Sequence, residues 1–336
     1  MKRNREKRLV WITALMGVFL VFASPPRGWG QKREAITLKD SWVNTPKVAA
    51  FFIGKEKGFF AAEGIDLTME EGRGSAGNFQ LLGAKKILFA IGDAATGTKF
   101  ISQGLPVKAV WGMYQTSPQA VVVHRRLGVR TPKDLEGKRV GDAPGGAGKS
   151  IFTAVAERNG VALSRVQWVN LTPSAKMTAL LSGDVDAITT YFPDVPLIRS
   201  KGGDVDYFLF ADFNVNTLGE AINVHTSVLV EKADALRRLL RGTRRSIEYT
   251  MGHRDEAVAA LKRAVPLAIK DTNVGRKTLD AYLTLLHTKN TKEKPLGWMA
   301  KEDWEETIRI LAKYGGLKNP LPVERYYTND FVPSGG

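Results

Sequence analysis

Three glycine-bearing turns hold the residues of this chain best placed to do chemistry, because each follows an apolar run and opens a helical pattern. Gly72-Arg73-Gly74-Ser75-Ala76-Gly77 matches GxGxxG, the arrangement that holds a dinucleotide pyrophosphate when it joins a strand to a helix. The helical stretch from Asn78 is interrupted early by Gly83, which weakens that reading. Ala143-Pro144-Gly145-Gly146-Ala147-Gly148-Lys149-Ser150 resembles a phosphate-binding loop with Ala in place of its first Gly. The strand that would carry a magnesium-holding acid ends instead in Tyr191-Phe192-Pro193, so ATP chemistry is not supported. What the two turns share is unpaired backbone N–H groups, the positive end of a helix dipole and glycines that admit a ligand to the main chain. If they face each other across a cleft, Gly74, Ser75, Gly145, Gly146 and Ser150 form a clamp for a small polar or anionic solute. Ordinary glycine-rich turns without a ligand are the alternative.

The third turn is Gly92-Asp93-Ala94-Ala95-Thr96, where Asp93 is either an N-cap or a carboxylate that receives an amine. Aromatic residues fall at strand ends, where a cleft wall would stand: Trp42, Tyr114 and Tyr191. They would sandwich a flat ligand or bury at a domain junction. Trp111, Trp168, Trp298 and Trp304 read as packing residues. Of the four histidines only His225 lies where it would line a cleft, and no His or Cys spacing suggests a metal site. Ser75 lacks the first Gly of a nucleophile elbow, and no His or acid is placed to activate it. No catalytic residue and no cofactor is expected.

The elements that position these turns are short apolar runs alternating with helical patterns: ITLKDS, IDLTMEE, ILFAIG, VKAVWGMY, QAVVVH, KRVGD, VQWVN, VDAITTY, DYFLF and AINVHTSVLV. Such alternation predicts an α/β protein with mostly parallel sheets. From Glu231 the pattern turns helical, with helices expected over 233–250, 255–264, 272–287 and 301–314. QTSPQAVVVHRR and NTLGEAINVHTSVLV mark places where one domain is interrupted by another. The expected organisation is domain 1 over 31–118 plus 223–336, with the helical C-terminal part, and an inserted domain 2 over 119–222.

The N-terminus, MKRNREKR followed by the apolar run from Leu9 to Ala23, reads as a signal peptide over 1–30, too short and too terminal for a typical membrane span. The chain has no cysteine, which excludes disulfides and a lipid-acceptor residue. A free periplasmic protein is expected, not a lipoprotein. The net charge is +15, and residues 1–30 hold six basic groups against Glu6, leaving about +10 for the rest. The densest basic cluster, Arg237, Arg238, Arg241, Arg244 and Arg245, reads as a solvated helix face. Export argues against nucleic acid as a partner.

Order and spacing add a resemblance. Trp42, Gly54-Lys55-Glu56-Lys57-Gly58-Phe59-Phe60, Gly64-Ile65-Asp66-Leu67, Gly74-Ser75, Gly104-Leu105-Pro106-Val107, the 134–141 stretch DLEGKRVG, the 181–187 stretch LSGDVDA and Tyr327-Thr328-Asn329 together resemble the solute-binding proteins of ABC importers. The group is the one containing the sulfonate-binding SsuA proteins and the fungal thiamine-pyrimidine synthases. That resemblance implies the type II periplasmic binding fold, two α/β domains joined by a two-segment hinge. It also implies a monomer that hands a small solute, such as a sulfonate, taurine, nitrate or a pyrimidine precursor, to a membrane permease. The synthases' lysine and histidine positions are Gly92 and Thr96 here, and Ala221 to His225 stands in place of their cysteines, so the resemblance implies binding over catalysis. An enzyme on the same fold, a small-carboxylate lyase or a divergent pyrimidine synthase, is the alternative. Tyr191-Phe192-Pro193 departs from the Trp-Glu-Pro common in the group.

Overall fold

The computed structural model describes residues 33–144 and 146–334; the expected signal peptide and Gly145 lie outside the described residues. The chain begins with β1 (Glu34–Lys39), α1 (Ala49–Glu56), α2 (Phe59–Ala62), β2 (Ile65–Glu70), α3 (Ser75–Gly83), β3 (Phe89–Asp93), α4 (Ala94–Ser102) and β4 (Val107–Tyr114). It continues through β5 (Gln119–His124), β6 (Arg139–Asp142), α5 (Ala147–Arg158), β7 (Gln167–Asn170), α6 (Ala175–Ser182), β8 (Ala187–Tyr191), α7 (Val195–Ser200) and β9 (Val205–Leu209). After β10 (Glu220–His225) come α8 (Val228–Glu231), α9 (Ala233–Gly252), α10 (Arg254–Ala264), α11 (Thr272–Leu283) and α12 (Lys301–Tyr314). Every apolar run read as a strand forms one. The last is shorter than expected: β10 stops at His225, and the Val228–Glu231 part of AINVHTSVLV turns into a helix.

The strands make two sheets of the same design, ordered β2-β1-β3-β10-β4 and β7-β6-β8-β5-β9. They are mixed: β10 runs antiparallel to β3 and β4, and β5 runs antiparallel to β8 and β9. The odd strand in each sheet is the one that enters directly from the other sheet. A parallel neighbour needs a crossover helix, which the short connections 115–118 and 210–219 do not contain. Because β10 pairs within the first sheet from Glu220 onward, the return crossing falls before 220 and not at 222.

In the central strands β3, β5 and β10 alternation divides the residues between two buried layers. In the first sheet Phe89 and Ile91 face the layer formed with α1 and α9, while Ala90 faces the layer holding Phe79 of α3 and Ile101 of α4. In the second sheet Val121 and Val123 pack toward Phe152 and Val155 of α5, while Val122 packs toward Leu180 and Ile198. Strands buried on both faces read as continuous apolar runs, which is why they are legible.

The helical C-terminal part does not sit only on the first sheet. Trp304 of α12 stacks on Tyr326 and Tyr327, but Ile310 and Leu311, two turns later, are buried with Phe152, Val155 and Phe210 of the second sheet's core. The amphipathic pattern places an apolar stripe on α12 without saying which core receives each end. Three of the five arginines of α9 are ion-paired: Arg238 with Glu34 and Asp234, Arg241 with Glu63, Arg244 with Glu248. Among the described residues no helix is long and apolar enough to cross a membrane.

Candidate functional site

In an open α/β sheet the carboxyl ends of the parallel strands gather the connecting loops and helix N-termini, so ligands bind there. Here those ends belong to two sheets, and they meet. A pocket with about 520 Å³ of empty space, partly continuous with solvent, is lined by Ser41, Trp42, Thr45, Lys47, Gly74 and Ser75 from the first sheet's loops. Gln119, Asp142, Gly146, Thr189, Tyr191 and Asp194 line it from the second. Tyr282 of α11 and Lys176 of α6 complete the wall.

The floor on the first-sheet side is a buried charge cluster. Lys47, 4% exposed, has its Nζ 2.8 Å from Asp40 Oδ1 and 3.1 Å from Glu220 Oε2. It also donates to Ser41 Oγ at 2.8 Å, and Ser41 donates to Glu220 Oε1. Burial alone would neutralise this lysine, but Asp40 and Glu220 beside it hold its affinity for the proton above the ordinary level. Burial pushes Asp40 up to about 6 despite the pull of Lys47, and the charge of Glu220 adds to the rise. Asp93, fully buried behind the cluster, is pushed up to about 7, chiefly by desolvation and against the N–H bond from Thr96. Lys47 pairs with two carboxyl groups, and Asp93 lies behind them without a share in it. These carboxyl groups lie beneath the pocket; those that line it are Asp142 and Asp194.

The wall from the second sheet is organised by Asp142. Its Oδ1 lies 2.7 Å from Lys176 Nζ, and its Oδ2 accepts the Lys149 backbone N–H at 2.6 Å. A carboxylate of the protein thus satisfies part of the α5 N-terminus that an anion clamp would need. Gly148 is required at this spot, because a Cβ there would sit 2.4 Å from Thr189 Oγ1. At α3 the arrangement is freer. Gly74 donates to Ser41 O, and among the described residues no protein acceptor meets the backbone N–H groups of Ser75, Ala76 and Gly77. Lys176 stands 4.9 Å from the centre of the Trp42 ring, a cation–π contact across the cleft. Two further bonds cross it: Tyr191 OH to Glu220 Oε1 at 3.3 Å and Tyr282 OH to Asp194 Oδ1 at 3.1 Å. Asp194 is pushed up to about 6, burial again outweighing the Tyr282 bond.

Of the residues singled out from the sequence, Trp42, Gly74, Ser75, Gly146 and Tyr191 line this pocket. Four others do not. Asp93 caps α4, its Oδ1 accepting from Thr96 N at 2.7 Å, and lies behind the floor. Tyr114 is 4% exposed and donates to Lys47 O, packing 5.0 Å from Tyr282. Ser150 points across to α4 and accepts from Lys99 Nζ at 3.0 Å. His225 ends β10 opposite Val107, at the far edge of the sheet from Tyr114, and accepts from Ser227 N. Sequence reading missed Asp40, Lys47, Asp142, Lys176, Asp194 and Tyr282. A signal for two of them was present: β6 ends in Asp142, and Asp40 directly follows β1, at strand ends that face a ligand. Among the described residues no group of three His, Cys, Asp or Glu is arranged to hold a metal.

The model of the family described as "NMT1/THI5 like" matches residues 45–257, more than half of the chain. The chain belongs to that family. Among relatives of this NMT1/THI5-like protein, the riboflavin-binding protein RibY of Chloroflexus aurantiacus is 26% identical over 316 residues, covering 90% of this chain and 87% of the relative. The formylaminopyrimidine-binding protein of Halalkalibacterium halodurans is 23% identical, covering 88% and 90%. The 4-amino-5-hydroxymethyl-2-methylpyrimidine phosphate synthase of Legionella pneumophila is 22% identical, covering 90% and 93%. Among solved structures, the alkanesulfonate-binding protein SsuA of Xanthomonas axonopodis pv. citri, bound to MOPS, superposes with a TM-score of 0.66 at 13% identity, covering 88% of this chain and 98% of that one. The fold is that of periplasmic binding proteins.

Proposed function

We propose that this chain is the periplasmic solute-binding component of an ABC importer, and that it captures a flat, polar nitrogen heterocycle of the pyrimidine or flavin kind in the cleft. The observation that carries the reading is the composition of that cleft. Aromatic side chains from both sides, Trp42, Tyr191 and Tyr282, stand beside two carboxylates, Asp142 and Asp194, with Lys47 and Lys176 already engaged in ion pairs. A flat ring gains stacking from the first and hydrogen-bond acceptors from the second. Nitrate, taurine or a sulfonate would meet Asp142 and Asp194, and the groups that favour an anion are the α3 N-terminus and two lysines, Lys47 and Lys176, each already paired with a carboxylate. The names of the riboflavin- and formylaminopyrimidine-binding relatives support the same class.

In this reading residues 33–114 with 220–334, and 119–209, move as two domains about the connections 115–118 and 210–219. Closure follows ligand contacts made better in the closed state. Trp42, Gly74, Ser75, Gly146 and Tyr191 carry the contacts. The protein works as a free, exported monomer docking on a permease, and no covalent step is required.

The test is a thermal-shift screen of the protein with riboflavin, aminopyrimidines, alkanesulfonates, taurine and nitrate, with each compound then recovered and analysed. A ligand at 100 times its dissociation constant stabilises by about 2.7 kcal/mol. A shift with a heterocycle recovered intact supports the receptor. A shift only with sulfonates or nitrate overturns the ligand class. Consumption of the compound would favour an enzyme on this fold, a reading supported by the Legionella relative and by carboxyl groups poised between about 6 and 7 under the cleft.

A further inference from the structure

A second cavity lies one helical turn along α11 from the cleft. Tyr282 and Thr278 occupy the same stripe of α11, four residues apart, and Val274 continues it. Facing them is a matching stripe of α7 and its cap: Asp194, Leu197 and Lys201 at spacings of three and four. The two stripes join at the cleft end through the Tyr282–Asp194 hydrogen bond. Away from the cleft they part, and a second pocket opens between them, with about 510 Å³ of empty space partly continuous with solvent.

The walls of that cavity have a definite chemical order. Pro46, Leu197, Ile269 and Val274 supply apolar surface, and Asp271 also lines the cavity, its carboxylate turned to the backbone N–H groups of Asn273 and Val274 at the start of α11. At its inner side Thr278 is fully buried, and its hydroxyl has no hydrogen-bond partner among the described residues. Lys201 and Lys270 are exposed at the rim, and neither ammonium has an ion-pair partner among the described residues. An unpaired buried hydroxyl carries a desolvation cost that a bound partner would remove.

We propose that this cavity is a second ligand site, taking a short aliphatic oxo-monocarboxylate: the carboxylate on Lys201 and Lys270, the chain on the apolar wall, the far oxygen on Thr278. A molecule seated there touches α7 and α11 together. It therefore binds better when the two stripes are joined, and it favours the Tyr282–Asp194 contact at the edge of the cleft. The inference does not depend on which solute the cleft takes.

The probes are 5-oxohexanoate, hexanoate, which lacks the far oxygen, and 2-hexanone, which lacks the carboxylate. A ligand of about nine non-hydrogen atoms is expected to bind with a dissociation constant on the order of 1 mM, read by ligand-observed NMR on the wild-type protein. Two rim-exposed ion pairs make the oxo-acid about fivefold tighter than 2-hexanone. Lys201→Ala with Lys270→Ala should bring it down to the ketone's level, and Thr278→Val should bring it to hexanoate's. Trp42→Ala, in the cleft, should leave it unchanged. Thermal melts without probe confirm that each variant is folded. The proposal is overturned if the oxo-acid binds no tighter than the ketone, if neither cavity variant weakens it, or if Trp42→Ala abolishes it.

Discussion

Asp93→Asn probes the electrostatics beneath the cleft. Asp93 is fully buried, its Oδ1 accepts the Thr96 N–H at 2.7 Å, and among the described residues its Oδ2 has no hydrogen-bond partner. Burial moves its carboxyl from 3.8 to about 7, and the charge of Glu220 adds to the rise. The folded state thus holds this proton more tightly than the unfolded state. The stabilisation that follows is fully present below about pH 4 and is lost as the pH rises through about 7. A displacement of about three pH units corresponds to about 4 kcal/mol, the ceiling for the effect because neighbouring carboxyl groups titrate with it. Asparagine keeps an acceptor for Thr96 and remains a good N-cap, so the substitution removes the ionisation and little else. In urea unfolding followed from about pH 5 to 8, the variant should match the wild type at the acid end to within about 1 kcal/mol and exceed it by about 2–4 kcal/mol at the basic end. Asp40 and Asp194, both raised to about 6, act with the same sign, so the wild type should lose stability across this range. Parallel curves for variant and wild type, or a variant less stable at pH 8, would refute the reasoning.

Other changes test the site and the frame that holds it. Lys47→Met leaves Asp40 and Glu220 buried without their cation and should cost about 3–5 kcal/mol in a denaturant melt at neutral pH, less at about pH 5 as Asp40 takes up a proton. Leu311→Ala should lower stability by about 2–5 kcal/mol, because this C-terminal residue is fully buried in the second sheet's core; a change below about 1 kcal/mol would mean that α12 does not join the two layers. Gly148→Val drives a side chain into Thr189 and Asp142, and should abolish any ligand-induced thermal shift while the protein still unfolds in one transition. Trp42→Ala removes the ring beside Lys176 and should weaken a stacked ligand by about 1–3 kcal/mol in a calorimetric titration, with a smaller effect on a ligand that lacks a ring.

The sequence by itself determined the strands: those buried on both faces form unbroken apolar runs such as VKAVWG and QAVVV, and half-exposed ones such as IDLTME alternate. It determined most of the late helices too, since α9 and α12 present amphipathic stripes that need no partner to be read. The glycine-bearing turns after β2 and β6 were legible for the same local reason: each sits between two periodic patterns. Tertiary structure decided what those turns face. Ser75 borders the cleft, whereas Ser150, at the matching turn of the other sheet, turns away to Lys99, a difference set by how α4 packs on α5. The cluster of Asp40, Lys47 and Glu220 gathers residues up to 180 positions apart, and no local pattern marks Lys47 as buried. The same distance hid the direction of β10 and the double attachment of α12. Burial and charge pairing depend on which surfaces meet, and that is a property of the folded chain.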